Sequence, residues 1–199
     1  MRQMRPTGPI GLICPIVSFV PFGLGTMNQM LDRLNKLPAP LAQAEFLKCC
    51  GSSKWASNMA AARPFRDFNS IAFTAEAQFD SLTDDDWLEA FRAHPKIGEK
   101  KAAGHQSAEA RRWSAQEQSR TQEAAAEVIE ELAEGNREYE RRFGFIYIVC
   151  ASGKSAGEML AILRNRLNNS PASELREAAE EQKKITRLRL EKLLQTPEA

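Results

Sequence analysis

Acid–base chemistry is most readily placed at a histidine that directly follows a predicted helix. His94 is followed at once by Pro95, and the chain continues as Lys96-Ile97-Gly98. Because proline cannot continue a helix and keeps the preceding residue out of helical geometry, His94 is predicted to stand at a stiff helix end. Imidazole is the side chain most often used for proton transfer near neutral pH. His94 is therefore a candidate catalytic residue, and a histidine that only packs the helix end is the alternative.

Two charged residues on other predicted helices are further candidates. Glu117 is the third residue after Ser114, which is the spacing of a helix capping box, and its carboxylate is also a candidate for chemistry. Arg189 interrupts an apolar helical face because it lies four residues from both Ile185 and Leu193. A buried guanidinium needs a negatively charged partner, which can be a carboxylate of the protein or a bound substrate. A cap at Glu117 and a structural ion pair at Arg189 remain the alternatives.

A metal site and a cysteine nucleophile are weaker hypotheses for the functional site. His94, His105 and Glu117 have the ligand types of a metal site, but their spacing does not pre-form one. Adjacent Cys49-Cys50 rarely bond each other, and no CxxC spacing is present, which favours a reduced, cytoplasmic setting. Cys150 lies in an apolar run, where burial raises the pKa of a thiol and suppresses its reactivity.

Composition limits the partners and the organisation of the chain. The 199 residues include 27 Lys and Arg against 26 Asp and Glu, so no basic stripe indicates nucleic acid. The apolar run within residues 10–24 is interrupted by Pro15 and Pro21 and is too short for a membrane span. We expect residues 1–26 to be a disordered leader or a region before the true start, with a signal peptide as the alternative, and residues 27–196 to form one helical domain.

Apolar residues at helical spacing predict an all-α, single compact domain of seven to eight helices. Capping boxes predict helix starts at Thr83, Ser114 and Ser155, Ser70 is predicted to begin another helix, and Pro171 is predicted to open the last one. Gly51 is predicted to take a left-handed conformation that ends the helix predicted over residues 41–48.

One segment, Phe145 to Cys150, has the composition of a strand. No other run in the sequence has strand composition, so this segment has no predicted partner strand. A strand without a partner cannot satisfy its backbone groups by pairing. We therefore expect one extended buried segment whose N–H and C=O groups bond to side chains, water or a ligand.

Several motifs, taken in order, resemble one family. They are Leu34-Asn35-Lys36-Leu37-Pro38, Cys49-Cys50-Gly51-Ser52-Ser53-Lys54-Trp55, Arg63-Pro64-Phe65, His94-Pro95-Lys96-Ile97-Gly98, Trp113-Ser114 with Glu117-Gln118, Phe143-Gly144-Phe145-Ile146-Tyr147-Ile148-Val149-Cys150-Ala151, Arg166-Leu167-Asn168-Asn169 and Leu188-Arg189-Leu190. The set is similar to 2-oxo-4-hydroxy-4-carboxy-5-ureidoimidazoline (OHCU) decarboxylase of urate degradation. The His-Pro-Lys-Ile-Gly turn and the Phe-Gly-Phe run are its most specific parts, whereas the loop of residues 99–112 departs from the animal-type pattern.

The resemblance implies an all-α carboxy-lyase that forms (S)-allantoin without a cofactor or metal. It implies a homodimer acting on a small molecule, with neither nucleic acid nor membrane as partner. Catalytic roles fall on His94 and Glu117. Substrate-binding roles fall on Arg189, Pro95, Gln118, Ser52, Phe145, Ile146, Tyr147, Ile148, Val149 and Ala151. The C-terminal residues lack a peroxisomal signal, which favours the cytoplasm. A non-catalytic helical binding module and a metal-dependent ureide hydrolase are the alternative functions.

Overall fold

The structure, a computed structural model, describes residues 24–96, 112–113 and 126–195. Eight helices are bounded within these residues, and no strand occurs among them. The helices are α1 (Leu24–Lys36), α2 (Ala39–Cys49), α3 (Ser53–Ala61), α4 (Phe68–Phe79), α5 (Asp84–Arg92), α6 (Ala126–Phe143), α7 (Ala156–Arg166) and α8 (Pro171–Gln195). The predicted all-α domain of seven to eight helices is confirmed. In this part of the chain, no helix is both long enough and apolar enough to cross a membrane.

The helix starts follow the local capping chemistry. At Thr83 and at Ser155 the side chain accepts a bond from the backbone three residues on, and the carboxylate there bonds back to the cap. The capping boxes predicted at Thr83 and Ser155 are confirmed, as is the start of α8 at Pro171. Ser70 does not begin α4, because Asp67 is the N-cap and the Ser70 hydroxyl closes the capping box from the third helical position.

The last helix, α8, lies at the centre of the fold. It contacts α1, α2, α4, α5 and α6, so it is covered on several sides. Polar side chains on α8 are therefore buried together with its apolar ones: Glu174, Glu181, Gln182, Thr186 and Arg189. Since a buried polar group is costly without a partner, each of these residues calls for a specific contact.

Residues 145–151 form the predicted extended buried segment. All seven residues are buried. The segment begins directly after Gly144, whose φ of 80° lies in the left-handed region and ends α6. The segment packs on α5 through Phe91 and Phe145, whose ring centroids are 5.2 Å apart. The expectation of one extended buried segment is confirmed.

A buried ion pair fastens this segment to the helices. The Arg166 guanidinium on α7 lies 2.6 Å from the Glu174 carboxylate on α8, and it also donates to the Ile148 carbonyl at 2.8 Å. The Tyr139 hydroxyl on α6 donates to the same carboxylate, and Asn169 donates to its other oxygen at 2.6 Å. Three helices and the extended segment therefore meet at one charged pair whose hydrogen-bonding groups are satisfied.

Candidate active site

His94 lies just beyond the end of α5, where the sequence places it. Its backbone N–H donates to the Phe91 carbonyl at 3.0 Å, and its side chain is buried. Pro95 follows and is half-buried. The imidazole is thus held by the helix end on one side and by the helices packed over it on the other.

Gly51 brings the α2–α3 connection against the end of α5. An added Cβ at Gly51 would lie 2.3 Å from the Ala93 Cβ and 3.3 Å from the Ala90 carbonyl oxygen. The prediction of a left-handed cap at Gly51 is wrong, because only Gly144 and Gly153 have positive φ among the described residues. Cys50 instead ends α2 in an extended conformation. Glycine is needed at position 51 because Ala93 and the Ala90 carbonyl at the end of α5 lie too close for a side chain.

Gly51→Ala is expected to lower the free energy of unfolding by about 1–3 kcal/mol, since the methyl group overlaps Ala93 and the α5 backbone must move. Gly157→Ala in α7 is the matched control. A Cβ there meets nothing within 4 Å, so removing a helical glycine is expected to stabilise the protein by about 0.5–1 kcal/mol. Urea unfolding of both variants checks the opposite signs, and a Gly51→Ala protein as stable as the native one would contradict the packing argument.

Three buried polar residues of α8 line up beside His94. Gln182, Thr186 and Arg189 are spaced by four and three residues, so they share one helical face. The Gln182 Oε1 atom lies 2.7 Å from His94 Nε2. Only Arg189 was identified from the sequence, although the same spacing would have revealed Gln182 and Thr186 as polar interruptions of a buried face.

Burial and a neighbouring cation keep the His94 imidazole neutral. Burial disfavours the charged ring and is the main cause of a pKa lowered from 6.5 to about 3. The positive charge of Arg189 lowers the pKa further, whereas the hydrogen bond to Gln182 acts in the opposite direction. His94 is therefore an uncharged acceptor or donor at neutral pH, placed within the field of a buried guanidinium.

The lowered pKa of His94 predicts a loss of stability in mild acid. Between pH 6.5 and about 3 the unfolded chain binds a proton that the folded chain does not, so stability falls as the pH falls through this window. We expect His94 to account for about 2 kcal/mol lost between pH 7 and pH 5. Urea unfolding at both pH values should show a smaller loss for His94→Gln. Equal losses in the two proteins would contradict the proposed neutral state.

Ser52 and the cysteines at the end of α2 lie in the same region. Ser52 is buried and caps α3 by accepting a bond from the Trp55 N–H at 3.3 Å. The Cys50 sulfur is close to the Ser52 N–H and to the Thr186 hydroxyl, and burial raises the pKa of this thiol to about 11. The Arg189 charge reaches Cys49 and Cys50 as well as His94. Cys50 and His94 therefore both lie against the polar face of α8 that carries Arg189, and Ser52 follows two residues after Cys50.

The extended segment, residues 145–151, packs on α5, the helix that ends before His94. Part of its backbone bonds to side chains, as expected. The Tyr147 N–H donates to Asn136 Oδ1 at 3.0 Å, and the Cys150 N–H donates to Glu181 Oε2 at 2.7 Å. The Cys150 carbonyl accepts from Lys154 at 2.7 Å. Because Glu181 precedes Gln182 on α8, the segment is anchored one residue from the partner of His94.

Several predicted site residues lie outside the described residues. They include Glu117 and Gln118, the capping box from Ser114, and His105 of the alternative metal site. Among residues 24–96, 112–113 and 126–195, no three His, Cys, Asp or Glu side chains form a group that could hold a metal ion. His105 and Glu117 lie outside these residues, and treatment with a chelator tests the metal-dependent hydrolase.

The fold and this site define a class of all-helical proteins in which a buried, neutral imidazole lies within the electrostatic field of a buried guanidinium. The family model of OHCU decarboxylase matches residues 35–191. The chain belongs to the OHCU decarboxylase family.

Similar proteins agree with this assignment. A crystal structure of OHCU decarboxylase in the presence of (S)-allantoin has 40% sequence identity and a TM-score of 0.66, with 76% of this chain and 98% of that chain covered. The uric acid degradation bifunctional protein TTL of Arabidopsis thaliana is 40% identical over 153 residues, which are 77% of this chain and 47% of that protein. The OHCU decarboxylase of Amia calva is 45% identical over 62 residues, which are 31% of this chain and 35% of that protein. The matched part therefore spans about half of the first of these curated relatives and about a third of the second.

Proposed function

We propose that this protein decarboxylates 2-oxo-4-hydroxy-4-carboxy-5-ureidoimidazoline to (S)-allantoin in urate degradation. The observation that carries the proposal is a neutral, buried His94 within the electrostatic field of the buried Arg189, in a domain of the OHCU decarboxylase family. The relatives' names supply the substrate, and the two side chains supply a proton acceptor and an anion-binding group.

Decarboxylation of this substrate needs little beyond a proton acceptor and an anion-binding group. Its reacting carbon carries both a carboxylate and a hydroxyl. When the bond to CO₂ breaks, the electron pair left behind can be delocalised into the adjacent ring C=N and C=O. A cofactor that stores electrons is then unnecessary, and the protein has to orient the substrate and manage protons.

Separate tasks follow for the charged and titratable residues. Arg189 orients an anionic or carbonyl oxygen of the substrate through two parallel hydrogen bonds. His94, being neutral, accepts the proton of the substrate hydroxyl or passes a proton to one face of the ring, and delivery to one face yields a single enantiomer. Glu117 binds a urea nitrogen or helps to orient His94.

The remaining predicted contacts surround the substrate. Ser52 and Pro95 contribute from helix ends, Gln118 contributes its side-chain amide, and the extended segment contributes Phe145, Ile146, Tyr147, Ile148, Val149 and Ala151. Backbone N–H and C=O groups in that segment suit the ureido and ring groups because both partners offer donors and acceptors at amide geometry. We further propose a homodimer and a cytoplasmic setting, which size-exclusion chromatography with light scattering and cell fractionation would test.

A coupled assay tests the activity directly. The unstable substrate is generated in solution from urate by the two preceding enzymes, the full chain is added, and the circular dichroism of the product is followed. Fast formation of one allantoin enantiomer, unaffected by a chelator, supports the proposal. Racemic product at the spontaneous rate would reject it in favour of a binding module, and activity lost with the chelator would favour the metal-dependent hydrolase.

A further inference from the structure

Three buried groups of α8 form a series of hydrogen bonds that ends at the His94 ring: the Gln182 backbone carbonyl, the Thr186 hydroxyl and the Gln182 side-chain amide. His94 Nε2 lies 2.7 Å from Gln182 Oε1, and Gln182 Nε2 lies 3.1 Å from the Thr186 hydroxyl oxygen. The Thr186 hydroxyl in turn lies 2.9 Å from the backbone carbonyl of Gln182. Gln182 and Thr186 have no exposed surface, so these groups satisfy one another without competition from bulk solvent.

The direction of each hydrogen bond follows from the number of protons available. A hydroxyl has one proton to donate, and Thr186 gives it to the Gln182 backbone carbonyl, which can only accept. Its lone pairs are then left to accept, so the end of the Gln182 side chain that faces Thr186 must be the amide NH₂. The amide oxygen consequently faces His94. The opposite amide orientation would require Thr186 to give up its bond to the backbone carbonyl.

We propose that Gln182 and Thr186 set the tautomer of His94, keeping the ring proton on Nε2 and leaving the lone pair on Nδ1. An amide oxygen has no proton, so a bond of 2.7 Å to Nε2 requires that the ring be the donor. A neutral imidazole has a single N–H, and therefore its other nitrogen is the acceptor. Among the described residues, Nδ1 of His94 has no hydrogen-bond partner.

Gln182 and Thr186 are thus positioning residues, which act through His94 without touching the reacting atoms. For the reaction, the tautomer makes Nδ1 the atom that accepts the substrate hydroxyl proton, and this consequence rests on the proposed function. The tautomer itself does not rest on it. The two statements can therefore fail separately.

Nitrogen NMR of the full ¹⁵N-labelled chain at neutral pH reads the tautomer directly. The chain contains two histidines, so a spectrum of His105→Ala identifies the ring signals of His94. We expect a protonated, pyrrole-like Nε2 and an unprotonated, pyridine-like Nδ1. The reverse assignment in the native protein would overturn the proposal without any substitution in α8.

Two substitutions at one position supply a matched pair. Thr186→Val removes the hydroxyl and frees the Gln182 amide to turn, whereas Thr186→Ser retains it. We expect Thr186→Val, like Gln182→Met, to produce a mixture of tautomers and to lower kcat about tenfold with KM little changed, because one buried hydrogen bond is lost. Thr186→Ser is expected to keep the native ring signals and rate.

Native ring signals in both Thr186→Val and Gln182→Met would overturn the proposal. An Nε2–H tautomer in a native protein that forms no allantoin would reject the proposed function and leave the tautomer assignment standing.

Discussion

His94→Ala is expected to lower the rate of (S)-allantoin formation by about 10²–10⁴-fold, the usual contribution of a positioned acid–base group. His94 is the only histidine among the described residues, and it is buried, neutral and within the electrostatic field of Arg189. No neighbouring group described here can take over its proton-accepting role, because Gln182 is an amide and Arg189 a permanent cation. The coupled assay with circular dichroism detection measures the effect.

His105→Ala is the matched control for this variant. Under the proposed mechanism it leaves the rate unchanged, whereas the metal-dependent alternative requires both histidines and predicts loss in each. Thermal melting establishes that His94→Ala is folded at the assay temperature. A folded His94→Ala protein with the native rate would refute the catalytic role of this residue.

Arg166→Met is expected to lower the free energy of unfolding by about 3–5 kcal/mol, the largest stability effect we anticipate for a single substitution. Removing the guanidinium leaves the Glu174 carboxylate, which has no exposed surface, without its cationic partner. The Ile148 carbonyl also loses its donor, so the extended segment loses one of its attachments. Urea unfolding at pH 7 measures the loss.

Arg164→Met provides the comparison on the same helix. Arg164 pairs with Glu131 at the surface, and its side chain is 65% exposed, so the expected change is about 0–1 kcal/mol. Equal losses of unfolding free energy in the two variants would contradict the argument that burial makes the Arg166–Glu174 pair costly to break.

The sequence by itself determined the all-helical class, the starts of α5, α7 and α8, and the position of His94 after a helix end. These features depend on neighbours a few residues apart: the Thr83 and Ser155 capping boxes, Pro95 after His94, and the apolar periodicity of α8. The extended segment was also predictable, since a strand-like run without a partner strand has to bond elsewhere. The family resemblance rested on the same short motifs.

Only the tertiary structure decided which distant residues meet. His94 and Gln182 are 88 residues apart, and no local pattern specifies that they share a hydrogen bond. Gly51 was predicted to serve its own helix end, yet its role depends on Ala93 of another element. Because α8 is covered on several sides, the side chains of Gln182, Thr186 and Arg189 are buried on one of its faces, and Gln182 there meets the imidazole of a different element.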